Sequence, residues 1–452
     1  MKQSQTTLMT EGKISTKIIR FALPVFLGNL FQQLYNLIDA LVVGNFVSTQ
    51  ALAAITSTGS LVFLLVGFFS GTFTGAGVVI SKFFGARDDE SVSKAVHTSI
   101  AFALISGLVL TVVGTILSPQ ILRLMQTPDD VYDLALSYVR IQFLGIMGVV
   151  LYNSANGIFQ AVGDSKHPLY FLMISSFTNV VLDIAFVTIF DWGVPGVAVA
   201  TIIAQFLSVG LAFAKLSKAE GPHRVQLKKI AIDRKMLRQI IRIGLPSGIQ
   251  NSVIAFANVI VQSSINVFGS AAAAGYGASA KLEGFVFIPI TSLAMSMSTF
   301  VGQNLGARNY ERARKGASFG IISCILISEA IGVATYIFAP QLIKLFTDDP
   351  SSVLAGAAKN RITAFFYFAL ALSHTMAGIL RGAGKSKIPM FVMLGSWCIF
   401  RVFYIQVIAK LFDDIIFVFW AYPITWMLST VAFIIYYLKS DWVHGLDASS
   451  ET

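Results

Sequence analysis

Charge is what this sequence lacks. Only 12% of its 452 residues are Asp, Glu, Lys or Arg, about half of the ~25% usual in a soluble domain. Set against 55% hydrophobic residues, that scarcity excludes a water-soluble enzyme and excludes disorder, which needs the opposite balance. Lipid is the solvent that remains. Cysteine is nearly absent as well: Cys324 and Cys398 both lie in apolar runs, so no disulfide framework and no CxxC metal site is available. Met1 to Gly12 are polar, and no short apolar core with a small-residue cleavage site follows, so no cleaved leader is expected.

What is present is a series of long apolar runs. A membrane-crossing helix needs roughly 20 mostly apolar residues, and twelve runs qualify, beginning near Ile18, Leu52, Ala95, Leu134, Pro168, Pro195, Ile240, Ala278, Gly316, Ala357, Ile388 and Ile415. Gly, Pro, Asp and Lys clusters separate them, as interfacial loops should. The runs are continuous rather than alternating, which excludes a membrane barrel. With the N-terminus placed in the cytoplasm, 25 of the 33 Lys and Arg fall on inside segments, 7 on outside segments, and Arg401 within a span. Positive-inside bias thus accounts for the net charge of +10, so nucleic acid is not an expected partner.

The chain also repeats itself. Ile18-Ile19-Arg20 through Leu23-Pro24 returns as Ile240-Ile241-Arg242 through Leu245-Pro246, an offset of 222. Gly85-Ala86-Arg87 returns as Gly306-Ala307-Arg308, and Gly157-Ile158 through Pro168 returns as Gly378-Ile379 through Pro389, both at 221. The expected organisation is a polar tail at 1–14, an N-lobe of six spans at 15–214, a basic cytoplasmic linker at 215–239, a C-lobe of six spans at 240–439 and a C-terminal tail at 440–452. Six spans per half is an even number, so the halves share one orientation and form a parallel repeat. Duplicated halves of this kind place a substrate path at their interface and open it alternately to each side. Duplication without transport is the bland alternative.

Acids inside spans are costly, at something like 2.5–3.5 kcal/mol on insertion scales, and mark function by default. Asp39 lies mid-span in the first helix, on one stripe with Asn29, Gln32 and Asn36. That stripe should face the interior of the first half. Asn179 and Asp183 share a face of the fifth span; Tyr138, Asn153 and Asn156 on the fourth, and Thr201 and Gln205 on the sixth, add donors and acceptors. Polar glue between helices is the competing reading, and the repeat supplies a control. Offset by 221 or 222, Asp39 maps to Val261, Asn156 to Ala377, Asn179 to Phe400 and Asp183 to Tyr404. The fold packs without these groups in its second half, which favours a functional cluster in the first. Two carboxylates sharing a low-dielectric pocket need a counter-charge, and a proton, Na⁺ or a cationic substrate can each supply it.

Twelve spans as six plus six, Pro24, Gly85-Ala86-Arg87, Val301-Gly302-Gln303-Asn304 and Asn156-Gly157-Ile158-Phe159 together resemble the multidrug and toxic compound extrusion (MATE) family, from about Ile14 to Lys439. The resemblance implies export of cationic or amphipathic organic compounds in exchange for H⁺ or Na⁺. It is closest to the branch named for a DNA-damage-inducible protein, which implies an ion and proton site on the residues matching Asp39, Tyr138, Asn156, Asn179, Asp183 and Thr201. Na⁺ would fall to Asp39, Asn179 and Asp183. Another branch carries acids in its seventh and tenth spans, where this chain has Asn251, Asn258, Gln262, Asn266 and His374. Candidate substrate contacts are Gln32, Asn36, Asn153, Gln205, Gln262 and Glu283. The 37 Phe and 12 Met residues suit a plastic, aromatic-lined pocket, although most must face lipid or pack helices.

Two motifs compete for attention. Gly382-Ala383-Gly384-Lys385-Ser386 looks like the tail of a P-loop, but Ile379 stands where the pattern needs Gly and no strand precedes it, so ATP is not expected. Asp129-Asp130-Val131-Tyr132-Asp133 resembles a Mg²⁺-diphosphate cluster, yet Leu354 replaces the third acid in the repeat; Thr127-Pro128-Asp129-Asp130 reads as a helix start with Thr127 as cap. A lipid-linked precursor flippase of the same superfamily is the serious alternative. Counting one Arg in the spans (Arg401) against Asp39, Asp183 and Glu329 favours cationic cargo over an anionic lipid. The expectation is an all-α, twelve-span antiporter of the plasma membrane. It would be monomeric, with both termini cytoplasmic, no enzyme activity, and no cofactor beyond the coupling ion. Glu283, near Lys281, is expected to pair with a basic group at an interface.

Overall fold

A computed structural model describes residues 8–46, 49–125, 127–412 and 414–444; side chains at 35–46, 49–57, 59–64, 256 and 408–410 lie outside that description. The first half forms α1 (Ile14–Phe46), α2 (Thr49–Gly85), α3 (Asp89–Leu124), α4 (Asp129–Ala161), α5 (Lys166–Thr188) and α6 (Gly193–Ser217). The second forms α7 (Arg234–Asn266), α8 (Ser270–Gly306), α9 (Tyr310–Ile337), the short α10 (Ala339–Lys344), α11 (Pro350–Ala364) and α12 (Tyr367–Gly382). It continues through α13 (Lys387–Met393), α14 (Arg401–Phe403), α15 (Lys410–Phe412) and α16 (Ile415–Lys439), with π turns at Leu394–Phe400 and Tyr404–Ala409. Among the described residues, 11 helices are long and apolar enough to cross a membrane, and α11 with α12, bent by 59°, make a twelfth.

The helices are apolar around most of their circumference. Leu108, Ile116, Phe177, Ile322 and Leu326 are exposed, an arrangement that only lipid makes favourable. Their ends are set by caps. Asp88 accepts from the Ser91 amide, Asp349 from the Ser352 amide and Asp414 from the Ile416 amide, each worth about 1 kcal/mol. At α4 it is Pro128, not Thr127, that takes the cap position, and no side-chain bond is made there.

The repeat is visible in the backbone. Arg87 and Arg308 both adopt left-handed φ, at 56° and 58°, and so do Gly163 and Gly384, at 81° and 76°. Packing repeats too. A methyl on Gly157 would lie 2.9 Å from the Phe73 carbonyl oxygen, and one on Gly378 would lie 2.2 Å from the Ala294 carbonyl oxygen. Both members of each pair are 221 residues apart, so the α4–α2 contact is reproduced by α12 and α8.

The chain folds into two compact units, one holding Leu27–Leu245 and the other Met9–Phe26 with Pro246 onward. In the first, Phe73, Ile80, Ile100, Val150 and Ile158 pack with Ile240 from the start of α7. In the second, Ile290, Phe300, Tyr367, Phe419 and Trp426 pack with Ile18 and Phe21 from the start of α1. Each unit therefore takes the opening turns of the other half's first helix. The changeover falls beside Pro24 and at Pro246, inside α1 and α7, where a ring removes a backbone donor and bends a helix. The linker 215–239 does not mark the divide.

Candidate ion and substrate site

The fifth span delivers its two polar residues to the interior of the first unit. Asn179 and Asp183 are 1% and 0% exposed on α5. Both amide atoms of Asn179 are buried and have no hydrogen-bond partner among the described residues, so its oxygen is available to a cation. One turn beyond Asp183, Val187 joins a cluster with Tyr138 of α4 and Val197 of α6. Thr201 donates to the Val197 carbonyl at 3.0 Å. Short turns make α4, α5 and α6 alternate in direction. At about 1.5 Å per residue, Tyr138, Asn179, Asp183 and Thr201 then lie roughly 14, 14, 8 and 12 Å from the same side of the bundle. Counted along their helices, these four fall within about 6 Å of one another in depth.

Other expected members fall elsewhere. Asn156 is eighteen positions beyond Tyr138 on α4, a helix without internal proline, which separates them by about 27 Å. Its amide oxygen accepts from Gln160 at 3.0 Å. Asn153, nearby, donates to the Val149 carbonyl of its own helix at 2.9 Å. These two asparagines cannot share a shell with Tyr138. Gln205 is half-buried on α6, Gln32 is exposed on α1, and Asn29 is half-buried. Gln262 donates to Asn266 at 2.9 Å within α7. Asp39 and Asn36 belong to α1, but their side chains lie outside the described residues.

The second unit corrects the count of buried charge. Lys359, assigned from sequence to an outside segment, is 0% exposed within α11. Its ammonium donates to Glu283 at 2.9 Å and to Ser279 at 3.1 Å. Ser279 in turn donates to Asn360 at 2.6 Å. Glu283 thus has the basic partner expected of it, and that partner is Lys359 of α11 rather than the neighbouring Lys281. Arg401 is buried as well: it is 2% exposed, donates twice to the Thr425 hydroxyl at 3.2 and 2.8 Å, and lies 4.5 Å from the Tyr422 ring centre. Tyr422 also carries the Lys359 ammonium, 4.8 Å from its centre. Repeat arithmetic could have revealed Lys359, because it stands 221 residues after Tyr138.

The remaining motifs resolve as structure. Glu329 accepts from the Phe368 amide at 2.7 Å, satisfying a donor at the start of α12 that the bend leaves free. In the P-loop-like segment, Ala383, Gly384 and Lys385 amides donate to Ile379, Arg381 and Leu380 carbonyls, so its N–H groups cap a helix rather than face a phosphate. Among the described residues, no three His, Cys, Asp or Glu side chains cluster as metal ligands.

Comparison with known proteins completes the picture. The MatE family model matches residues 24–185 and 246–407. "Probable multidrug resistance protein YoeA" of Bacillus subtilis is 28% identical over 405 residues, covering 87% of this chain and 88% of that protein. "Probable multidrug resistance protein NorM" of Thermotoga maritima is 27% identical over 392 residues, covering 84% and 82%. A solved outward-facing multidrug resistance MATE family transporter of the MOP superfamily superposes with a TM-score of 0.89, at 22% identity and covering 100% of both chains.

Proposed function

The chain belongs to the MatE family, and from that premise we propose that it is a secondary active multidrug exporter of the plasma membrane. It exchanges cationic or amphipathic organic compounds for H⁺, or for Na⁺ at the same oxygens, by alternating access. The observation that carries this reading is the fully buried Asn179–Asp183 pair on α5, a helix that packs through Val187 with Tyr138 of α4 and Val197 of α6. A buried carboxylate must be neutralised by a proton or a cation. Exchange of one for the other at Asp183, with Asp39 as second acid, couples ion flow to cargo provided that the two bind the open states with different affinities. Asn179 and Asp183 offer the amide and carboxylate oxygens a hard cation prefers, and Thr201 and Tyr138 supply hydroxyls.

Asp183→Asn and Asp39→Asn keep the shape of the side chain and remove the charge that changes. Each is expected to abolish export of a cationic dye from proteoliposomes while the protein stays inserted and monodisperse. Wild-type efflux in either variant would sink the proposal. Imposing a pH gradient and then a Na⁺ gradient on the wild-type vesicles identifies the coupling ion. We expect the pH gradient to drive efflux.

A further inference from the structure

We propose that the second unit holds its own ligand site, for the anionic end of an amphipathic organic molecule, with Lys359 and Arg401 as the receiving cations. Three observations meet there. The first is charge: Lys359 and Arg401 are both buried against the Tyr422 ring, and Glu283 is the carboxylate that pairs with Lys359, while Arg401 donates to the Thr425 hydroxyl. Two cations against one anion leave a positive charge inside a low-dielectric bundle, where an unpaired charge is costly and a ligand oxyanion is strongly held. Asn360 adds a buried amide Nδ2 with no acceptor among the described residues.

The second observation is symmetry. Lys359 and Tyr422 stand 221 residues after Tyr138 and Thr201. Arg401 stands 222 after Asn179, and the extra residue has a structural origin. Pro168 and Pro389 are offset by 221, and Asn179 and Arg401 by 222. Between these points lies the π turn Leu394–Phe400, which accommodates one added residue. The cluster therefore occupies the place in the second unit that the acid-bearing layer occupies in the first, with the sign of charge inverted.

The third observation is mechanical. π turns precede and follow Arg401, and Pro423 sits between Tyr422 and Thr425 in α16. Each device weakens the regular helix ladder beside the group that must rearrange to admit a ligand.

The site is tested on the purified full chain in lipid nanodiscs with two dyes sharing one ring system: rhodamine 110, a free carboxylate, and rhodamine 123, its methyl ester. Loss of a charge-assisted contact predicts that Arg401→Gln weakens binding of the free acid by about tenfold and of the ester far less. Arg401→Lys should recover part of the difference, and Lys359→Gln should act in the same direction as Arg401→Gln. Equal weakening of both dyes in a monodisperse variant would assign Arg401 a structural role and overturn the proposal. So would displacement of the acid by chloride with no sensitivity to Arg401, since the ligand would then be inorganic. Only the identity of the ligand as cargo rests on the export reading. If that reading fails, Asp183→Asn leaves dye efflux intact, whereas the dye-pair binding result stands independently.

Discussion

At the scale of single residues, the three acids described inside the bundle serve different ends. Asp183 is buried one turn from Asn179, whose amide atoms have no hydrogen-bond partner among the described residues. Glu283 is locked to a lysine, and Glu329 caps a helix start. Breaking a buried ion pair by removing one partner costs roughly 3–5 kcal/mol, because the other charge is stranded. Glu283→Gln should therefore lower thermal stability clearly while reducing export less than Asp183→Asn does. Thermal unfolding and dye efflux on the same preparations separate the two effects, and equal loss of export would mean that the second unit shares the coupling. For Glu329 the cap needs only an acceptor. Glu329→Gln should be nearly neutral, and Glu329→Leu should cost about 1 kcal/mol in unfolding assays. The sequence made Asp183 conspicuous, because a charge in a long apolar run is visible without coordinates. It could not reveal Lys359 as the partner of Glu283, because the two are 76 residues apart. The nearby Lys281 sits at i−2 on the same helix, and such pairs do not face each other.

At the scale of elements, the helices were legible and their interruptions were not. Length and hydropathy mark a span without regard to its neighbours, so all twelve runs reappear as helical segments. The bend at Phe365–Phe366, the π turns around Arg401 and the exchange at Pro24 and Pro246 depend on what packs alongside. The linker is another such element. It reads as a charged loop, yet it is tied down: the Gln226 amide donates to His97 Nε2 at 3.0 Å, the Asp233 amide to the Thr98 hydroxyl at 3.1 Å, and the Val225 amide to Leu216 at 3.1 Å. His223 lies at its centre, 5% exposed. Burial holds its imidazole below the ordinary histidine range, against the opposing pull of Asp164. A histidine with a lowered folded pKa supports the docked state fully above the unfolded value of about 6.5. It loses that support as pH falls from there through the folded pKa. Amide protection across 218–233, taken relative to the intrinsic exchange rate at each pH, should thus fall between about pH 7 and pH 5, and His223→Leu should flatten that dependence. An unchanged profile in the variant would show that other groups set the response.

At the scale of the whole chain, scarcity of charge carries two kinds of information that must be kept apart. Lys and Arg in the loops report orientation, while those in the helices report chemistry, and Lys359 shows that a count made by position alone confuses them. Removing it from the outside set leaves 6 outside against 25 inside, so the orientation argument is strengthened. The cargo argument changes: the spans of the first unit carry acids, those of the second carry Lys359 and Arg401 as well as Glu283 and Glu329, and neither sign describes the molecule as a whole. Orientation can be checked directly because the native cysteines are silent. Cys324 and Cys398 are buried, so a membrane-impermeant maleimide will report an introduced thiol. Lys218→Cys in the linker and Asp130→Cys at the start of α4 are exposed positions on opposite sides of the expected topology. In intact cells the reagent should label the Asp130→Cys variant and spare the Lys218→Cys variant, and inverted vesicles should give the reverse. Labelling of the linker from outside would invert the orientation deduced from Lys and Arg, and with it the direction in which the ion gradient drives export.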